Sequence, residues 1–504
     1  MNQTPRGTYV KPVGLMFVLA LVLVGGAVAI DNGLGLAADP AFWFAGLQGA
    51  AALDRVTSAA EIVAGLLAIA ITVVAIVLEL AANRYTHRIT QLFVRDTTNR
   101  AVLAFFVLTT IVCLWTSAAP REALQEALVA STLAMAMVTA CLLALLPYFM
   151  FLFRFLAPRN IIARIGEQAL HAAQSGQRAE MLAAIEELDD MARGARQHHD
   201  RSIALAAVDA LTDVTRAYAR LREELPTSWF QIDRELARDP DFVALAPSAV
   251  RDLEEQALWL EAKIFRQFLS LFEEGLGEER DLGSLIALNT RSLAAEHPEL
   301  VDLAIRFFNS YLRLSIRAGD LRTAYYVMDQ YRGVAETELR RGERARLHRI
   351  AAHLHEYGDF ARDLGQAFLL EVVAWDIATL IEQASAELAD EVDPLLDRFL
   401  SIGRSGDSGG SEDGLLGVRR TQVQLATFFL LHGDEARALR IAETMRDEDP
   451  ARLQGIWRAL EAEDSEQYWE VTDRGINFSY LSPERRAQLP RFFALTPGGL
   501  SEGT

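Results

Sequence analysis

Four long apolar runs near the start of this 504-residue chain restrict what it can fold into. They occupy positions 13–30, 62–78, 101–119 and 128–153, and none contains Asp, Glu, Lys, Arg or His. A helix rises about 1.5 Å per residue, so roughly 17 to 26 residues reach about 25 to 39 Å, enough for a hydrocarbon core. The expected fold class is all-α: a four-helix transmembrane domain followed by a cytoplasmic α-helical repeat, solenoid-like domain. The spans are expected at 13–30, 59–81, 101–119 and 128–156.

Charge sets the expected orientation. Arg6 and Lys11 precede the first run, and Asp31, Asp39 and Asp54 outnumber Arg55 after it. Arg84, Arg88, Arg95 and Arg100 follow the second run against Asp96. Arg121 faces Glu122 and Glu126 in the third loop, and Arg154, Arg159 and Arg164 follow the last run. Every basic flank falls on one side, so the positive-inside rule places both termini in the cytoplasm of a bacterium, with the chain in its inner membrane. Phe42, Trp43 and Phe44 read as an interfacial aromatic anchor in the first outer loop. A second reading of the first run is a signal peptide cleaved after Ala27-Val28-Ala29.

Composition divides at the same place. Residues 1–165 hold 11 Lys+Arg and 8 Asp+Glu; the rest holds 38 and 60, a net of −22. So acidic a part repels nucleic acid and the anionic inner leaflet, and it either meets basic protein surfaces or cations or simply stays soluble. The two cysteines, Cys113 and Cys141, lie inside expected spans and read as buried free thiols. No disulfide framework or zinc pattern is present.

From 159 to 400 apolar residues recur at three- and four-residue spacing, as in Leu205, Val208, Leu211, Val214 and Tyr218. Glycine followed by Asp or Gln punctuates the pattern at Gly176-Gln177, Gly319-Asp320, Gly358-Asp359 and Gly433-Asp434. Such a pair suits the end of one helix and the cap of the next. The spacing is similar to tetratricopeptide hairpins, with Ala324 and Ala438 at packing positions, but the Trp-Leu-Gly-Tyr signature is missing. An ordinary helical bundle is the other reading. The Gly/Ser/Asp-rich segment 401–417 is expected to be a mobile loop, 418–495 a terminal hairpin with an aromatic cap, and 496–504 a disordered tail.

The run 71–113 resembles a family of bacterial predicted membrane proteins, domain of unknown function 2254. Leu78-Glu79-Leu80-Ala81-Ala82-Asn83-Arg84-Tyr85-Thr86-His87-Arg88 and Phe93-Val94-Arg95-Asp96 carry the likeness. Glu79 stands for the family's glutamine and His87 for its proline. The family's asparagine-aspartate-proline motif is not visible. The resemblance covers the second and third spans only and implies no particular activity.

Several residues invite a chemical reading. Glu79, at the inner end of the second span with Arg84 nearby, is a candidate ion or proton site or a snorkelling acid paired with an arginine. Small residues recur at Ala60, Ala64, Ala68 and Thr72, and at Ala136, Ala140 and Ala144, as in closely packed spans or a homo-oligomer. Pro147 is expected to kink the last span. His348, His353 and His355 do not have the spacing of a single zinc site. P-loop, GxSxG and kinase signatures are missing, so no enzyme activity, cofactor or metal is expected.

The expected function is a membrane-anchored scaffold or adaptor. Its partners are the bilayer and an unknown cytoplasmic or membrane protein, not nucleic acid. Arg322, Tyr325, Tyr326, Tyr331 and Arg332 form the expected partner surface. The alternative is an oligomeric channel or small-solute transporter with Glu79 near the path and a regulatory acidic domain.

Overall fold

The computed structural model describes residues 22–23, 26–27, 30, 50–84, 93–94, 96–118, 128–234, 236–243, 245–278, 280–403, 412–466 and 474–496. These residues form helices, turns and connections, with no strand among them. The chain divides into two compact units: Met1–Ile165 with Gly194–Ile203, and Gly166–Arg193 with Ala204–Thr504.

In the first unit α1 (Ala50–Arg84), α2 (Thr97–Ala118) and α3 (Leu128–Phe155) pack against one another pairwise. They contain three candidate spans: Val56–Leu80, Thr97–Ala118 and Val129–Phe155. The expected first span, 13–30, falls almost wholly outside the described residues. Ala59, Val63, Val112, Cys113, Ala134 and Cys141 fill the seam between the helices. Large aliphatic side chains point away from it: Leu143 is 73% exposed and Leu146 70%. A water-soluble protein cannot leave so continuous an apolar surface bare, whereas lipid solvates it without penalty. The hydroxyls of Thr109, Thr110 and Thr116 donate to carbonyls four residues back, at 2.8, 2.9 and 2.8 Å, so each is satisfied within its own helix.

The small-residue stripes lie only partly in that seam, against which Ala60 packs. Ala64, Ala68, Thr72, Ala136 and Ala140 are exposed on the described unit. Four-residue spacing marks one face of a helix but not which face meets a neighbour. Here Val63, Met137 and Cys141 fill the gap instead.

The helices that follow are α4 (Pro158–Gln174), α5 (Arg178–Gln197), α6 (Arg201–Leu221), α7 (Pro247–Glu255), α8 (Trp259–Gly275), α9 (Arg280–Glu296) and α10 (Val301–Ala318). Next come α11 (Leu321–Arg341), α12 (Arg344–Asp363), α13 (Phe368–Glu387), α14 (Val392–Ser401) and α15 (Glu412–Leu431). Last are α16 (Glu435–Glu443), α17 (Pro450–Ala462) and α18 (Leu489–Leu495). From α8 onward they build two layers. α9, α11, α13 and α15 pack in series as one layer, and α8, α10, α12 and α14 pack in series as the other.

Left-handed glycines set the length of this stack. Gly319, Gly342 and Gly365, at φ 71°, 75° and 77°, end α10, α11 and α12 and recur every 23 residues. At Gly319 the Asp320 N–H donates to the Ser315 carbonyl at 3.0 Å, and the Asp320 carboxylate accepts from the Thr323 N–H at 3.1 Å. Gly433-Asp434 repeats the arrangement, with Asp434 accepting from the Arg437 N–H at 3.1 Å. Gly176 makes the same turn after α4.

Gly358 does not make a turn. It lies inside α12 and is buried, and a Cβ there would meet Leu370 Cδ1 at 3.1 Å and Val373 Cβ at 3.2 Å. This glycine permits the close approach of α12 and α13, and the turn comes at Gly365. Helix also enters both ends of the expected loop 401–417. α14 reaches Ser401 and α15 begins at Glu412, while 404–411 lie outside the described residues.

Candidate functional site

The expected partner surface lies on α11, and the structure divides it. Arg322 is exposed and Tyr326 half-buried. Tyr331 is wholly buried: its ring stacks on Phe308 at 5.0 Å and its hydroxyl lies 2.9 Å from His353 Nδ1. Burial pushes that hydroxyl's pKa well above the usual tyrosine value. Tyr325 is 8% exposed and the Arg332 side chain 14%. Tyr331 is therefore a core residue, and Tyr325 and Arg332 are covered. The physical reason is that α11 touches α9, α10, α12 and α13, which leaves it little free surface.

A distant part of the same chain covers Tyr325, whereas Arg332 pairs with Asp376 and lies over Trp375 of α13. Residues 474–480 carry no helix and lie across α11, α13 and α15. The Arg474 side chain, 1% exposed, donates to both oxygens of Asp376, at 2.6 and 3.3 Å, and to the Tyr325 carbonyl at 2.7 Å. Its guanidinium sits 4.2 Å from the Tyr325 ring centroid. Arg332 Nε lies 3.1 Å from the same Asp376 carboxylate, and Arg332 also pairs with Asp329 at 2.7 Å and with Glu336. Complete burial raises the Asp376 pKa, against the pull of Arg474 and Arg332.

Four residues on, Phe478 enters an aromatic pocket. Its ring centroid is 5.5 Å from Trp375, 6.2 Å from Phe368 and 6.3 Å from Tyr325, edge-on to all three. The Gln424 amide on α15 donates to the carbonyls of Phe478 at 2.9 Å and Tyr480 at 3.3 Å. Arg485 then pairs with Glu382 at 2.8 Å. Residues 474–480 therefore cover the face of the layer instead of closing its end. Farther on, α18 packs on α15 and α16, and Phe493 stacks on Trp457 at 4.7 Å. Trp469, another aromatic residue of the expected cap region 418–495, lies outside the described residues.

Sequence reasoning singled out none of Asp376, Gln424, Arg474 or Phe478 as a site residue. The available signal was Asp376 itself, a lone acid among Val372, Val373, Ala374, Ile377 and Ala378 in α13. An acid in such a setting demands a cation from elsewhere in the chain.

The other candidate site lies in the first unit. Glu79 is exposed near the end of α1, and no hydrogen bond or ion pair to its side chain is present among the described residues. The Arg84 side chain lies outside those residues. Phe93 and Asp96 of the Phe-Val-Arg-Asp motif make defined contacts. Asp96 caps α2, accepting from the Thr98 and Asn99 N–H groups at 2.9 and 3.1 Å, and meets Arg164 at 3.5 Å. Asn99 donates to the Phe93 carbonyl at 3.1 Å and accepts from the Tyr148 hydroxyl at 2.8 Å. Phe93 packs edge-on against Phe155 at 5.3 Å. These contacts make a polar latch between the start of α2 and α3.

Two further charged groups are enclosed in the second unit. Lys263, 2% exposed, is ringed by Asp239 at 2.7 Å, Asp241 at 2.9 Å and Glu186 at 3.4 Å. Burial lowers its pKa, but Asp239 and Asp241 outweigh that and hold the amine protonated. Asp189 is pushed up to about 6 by burial, against the pull of Arg193 at 2.8 Å. His348 pairs with Glu391, His353 with Tyr331 and Asn309, and His355 lies 3.5 Å from Asp359. No group of three or more His, Cys, Asp or Glu among the described residues is arranged to hold a metal.

An all-helical membrane protein with a large stacked-helix region is thus defined by the spans and by the layers that follow them in sequence. Residues 6–218 match the model of the family described as predicted membrane protein (DUF2254). The match bears out the resemblance seen in 71–113 and extends it through all the described spans and into the first helices beyond them. No match was found among curated proteins or among solved structures.

Proposed function

We propose that this protein is a membrane-anchored scaffold of the bacterial inner membrane, whose solenoid-like helical layers bind another protein. Both termini lie in the cytoplasm, on the side to which every basic flank of the spans belongs. The observation that carries the reading is the face of α11, α13 and α15, which holds a non-helical length of polypeptide through a buried acid, an aromatic pocket and a carbonyl-reading amide. Such a face recognises protein chain.

In-membrane photo-crosslinking of the full chain tests the proposal, with probes placed along α9 to α15. A partner crosslinked from several of these positions is the expected result. Crosslinks only to lipid, or none, overturn the scaffold reading. Reporter fusions at residues 45 and 504 should report opposite sides of the membrane; the same side for both refutes the orientation.

A further inference from the structure

We propose that the α11–α13–α15 face is a peptide-reading groove and that residues 474–480 are its resident occupant. The occupant is exchangeable for a partner segment that presents an arginine and, four residues later, an aromatic side chain. The inference rests on the scaffold reading and specifies the kind of partner.

Three features of the face define that chemistry. Asp376 has no contact with water and takes both its oxygens to the Arg474 guanidinium. A planar fork matches a carboxylate in this way, and a lysine ammonium does not. Phe368, Trp375 and Tyr325 form a pocket of ring edges and faces suited to one aromatic side chain. Gln424 addresses two main-chain carbonyls, which any sequence offers. The last contact holds the main chain at its turn, while the first two select the side chains and their four-residue separation.

The resident segment holds its place largely through contacts that a segment from another chain can reproduce. Its own backbone contributes a local turn, in which the Tyr480 N–H donates to the Asn477 carbonyl at 3.1 Å. Its advantage over a partner is tethering, which gives it an effective concentration on the order of millimolar. An external segment therefore competes poorly until the tethered one is weakened.

The test uses full-length protein in nanodiscs and a fluorescent peptide of residues 474–482, RGINFSYLS. Phe478→Ala and Arg474→Ala/Phe478→Ala weaken the resident segment. Both variants are expected to bind the peptide saturably and at least tenfold more tightly than the unaltered protein. A peptide with lysine for the arginine, or a scrambled peptide, loses at least tenfold. Adding Asp376→Asn to Phe478→Ala abolishes the preference for arginine. The arginine peptide also raises the melting temperature of the weakened variants, and the lysine peptide does not. If either variant keeps its helical circular dichroism yet binds no better than the unaltered protein, the groove proposal is overturned. Should the double variant unfold, Phe478→Ala alone decides. A partner crosslinked elsewhere on the stack would leave the scaffold reading standing while this one failed.

Discussion

Arg474 closes on Asp376 across 98 residues of sequence, and both side chains are removed from water. Taking one partner from such a pair leaves a buried charge uncompensated, which costs about 3–5 kcal/mol. Arg332 remains near Asp376, so Arg474→Ala should fall at the lower end of that range. Chemical denaturation of the purified protein, followed by helical circular dichroism, measures this. In an Asp376→Asn background the same change should cost much less. Equal losses in both backgrounds would mean that the ion pair is not the source.

Gly358 and Gly319 should respond to substitution for different reasons. Gly358→Leu drives a side chain into Leu370 and Val373, which already stand 3.1–3.2 Å from an added Cβ. Overpacking of this kind costs about 1–3 kcal/mol. Gly319 has open space around it but a φ of +71°, so Gly319→Ala should cost about 1 kcal/mol through the backbone alone. Enlarging alanine to leucine should worsen the melting temperature at 358 and leave it nearly unchanged at 319.

Asp189 gives the second unit a pH dependence. Its folded pKa of about 6 lies above the ordinary aspartate value. The group therefore contributes stability that is full below about pH 4 and is lost as pH rises through about 6. Asp189→Asn should accordingly be more stable than the unaltered protein at pH 7.5, by on the order of 3 kcal/mol, since one pKa unit corresponds to about 1.4 kcal/mol. The difference should shrink as pH falls from 7.5 to 4. A gap that widens towards low pH would show that the pull of Arg193, not burial, dominates.

Asp96 should matter to the membrane unit. Asp96→Ala removes two capping hydrogen bonds from the first turn of α2 and leaves Arg164 without its carboxylate. A lost cap costs about 1 kcal/mol. Tyr148→Phe breaks the hydroxyl contact to Asn99 while keeping the ring, and should cost no more than about 1.5 kcal/mol. Unfolding in detergent micelles, read separately for the two variants, checks both values.

The sequence made much of this architecture legible. Uncharged runs of bilayer length locate α1, α2 and α3 because nothing else accommodates them. Gly319-Asp320 and Gly433-Asp434 mark turns because a left-handed glycine and an acidic cap each have one local job. Gly358-Asp359 carries the same letters in the middle of α12, where the requirement comes from Leu370 and Val373 on the next helix. Local pattern cannot separate those two uses of glycine. The candidate site was obscured for the same reason. Tyr325 and Arg332 read as surface from α11 alone; Tyr325 is covered by residues 474–478 and Arg332 pairs with Asp376 of α13, contacts that no periodicity encodes.

The long reach of Arg474 also orders events during synthesis. α15 is complete at Leu431, and 43 more residues must be added before Arg474 exists. At about 5–20 residues per second that interval lasts roughly 2 to 9 seconds. Throughout it Asp376 and the ring pocket of Trp375 have been made but their tethered occupant has not. A segment of matching chemistry would therefore meet no tethered competitor during that interval.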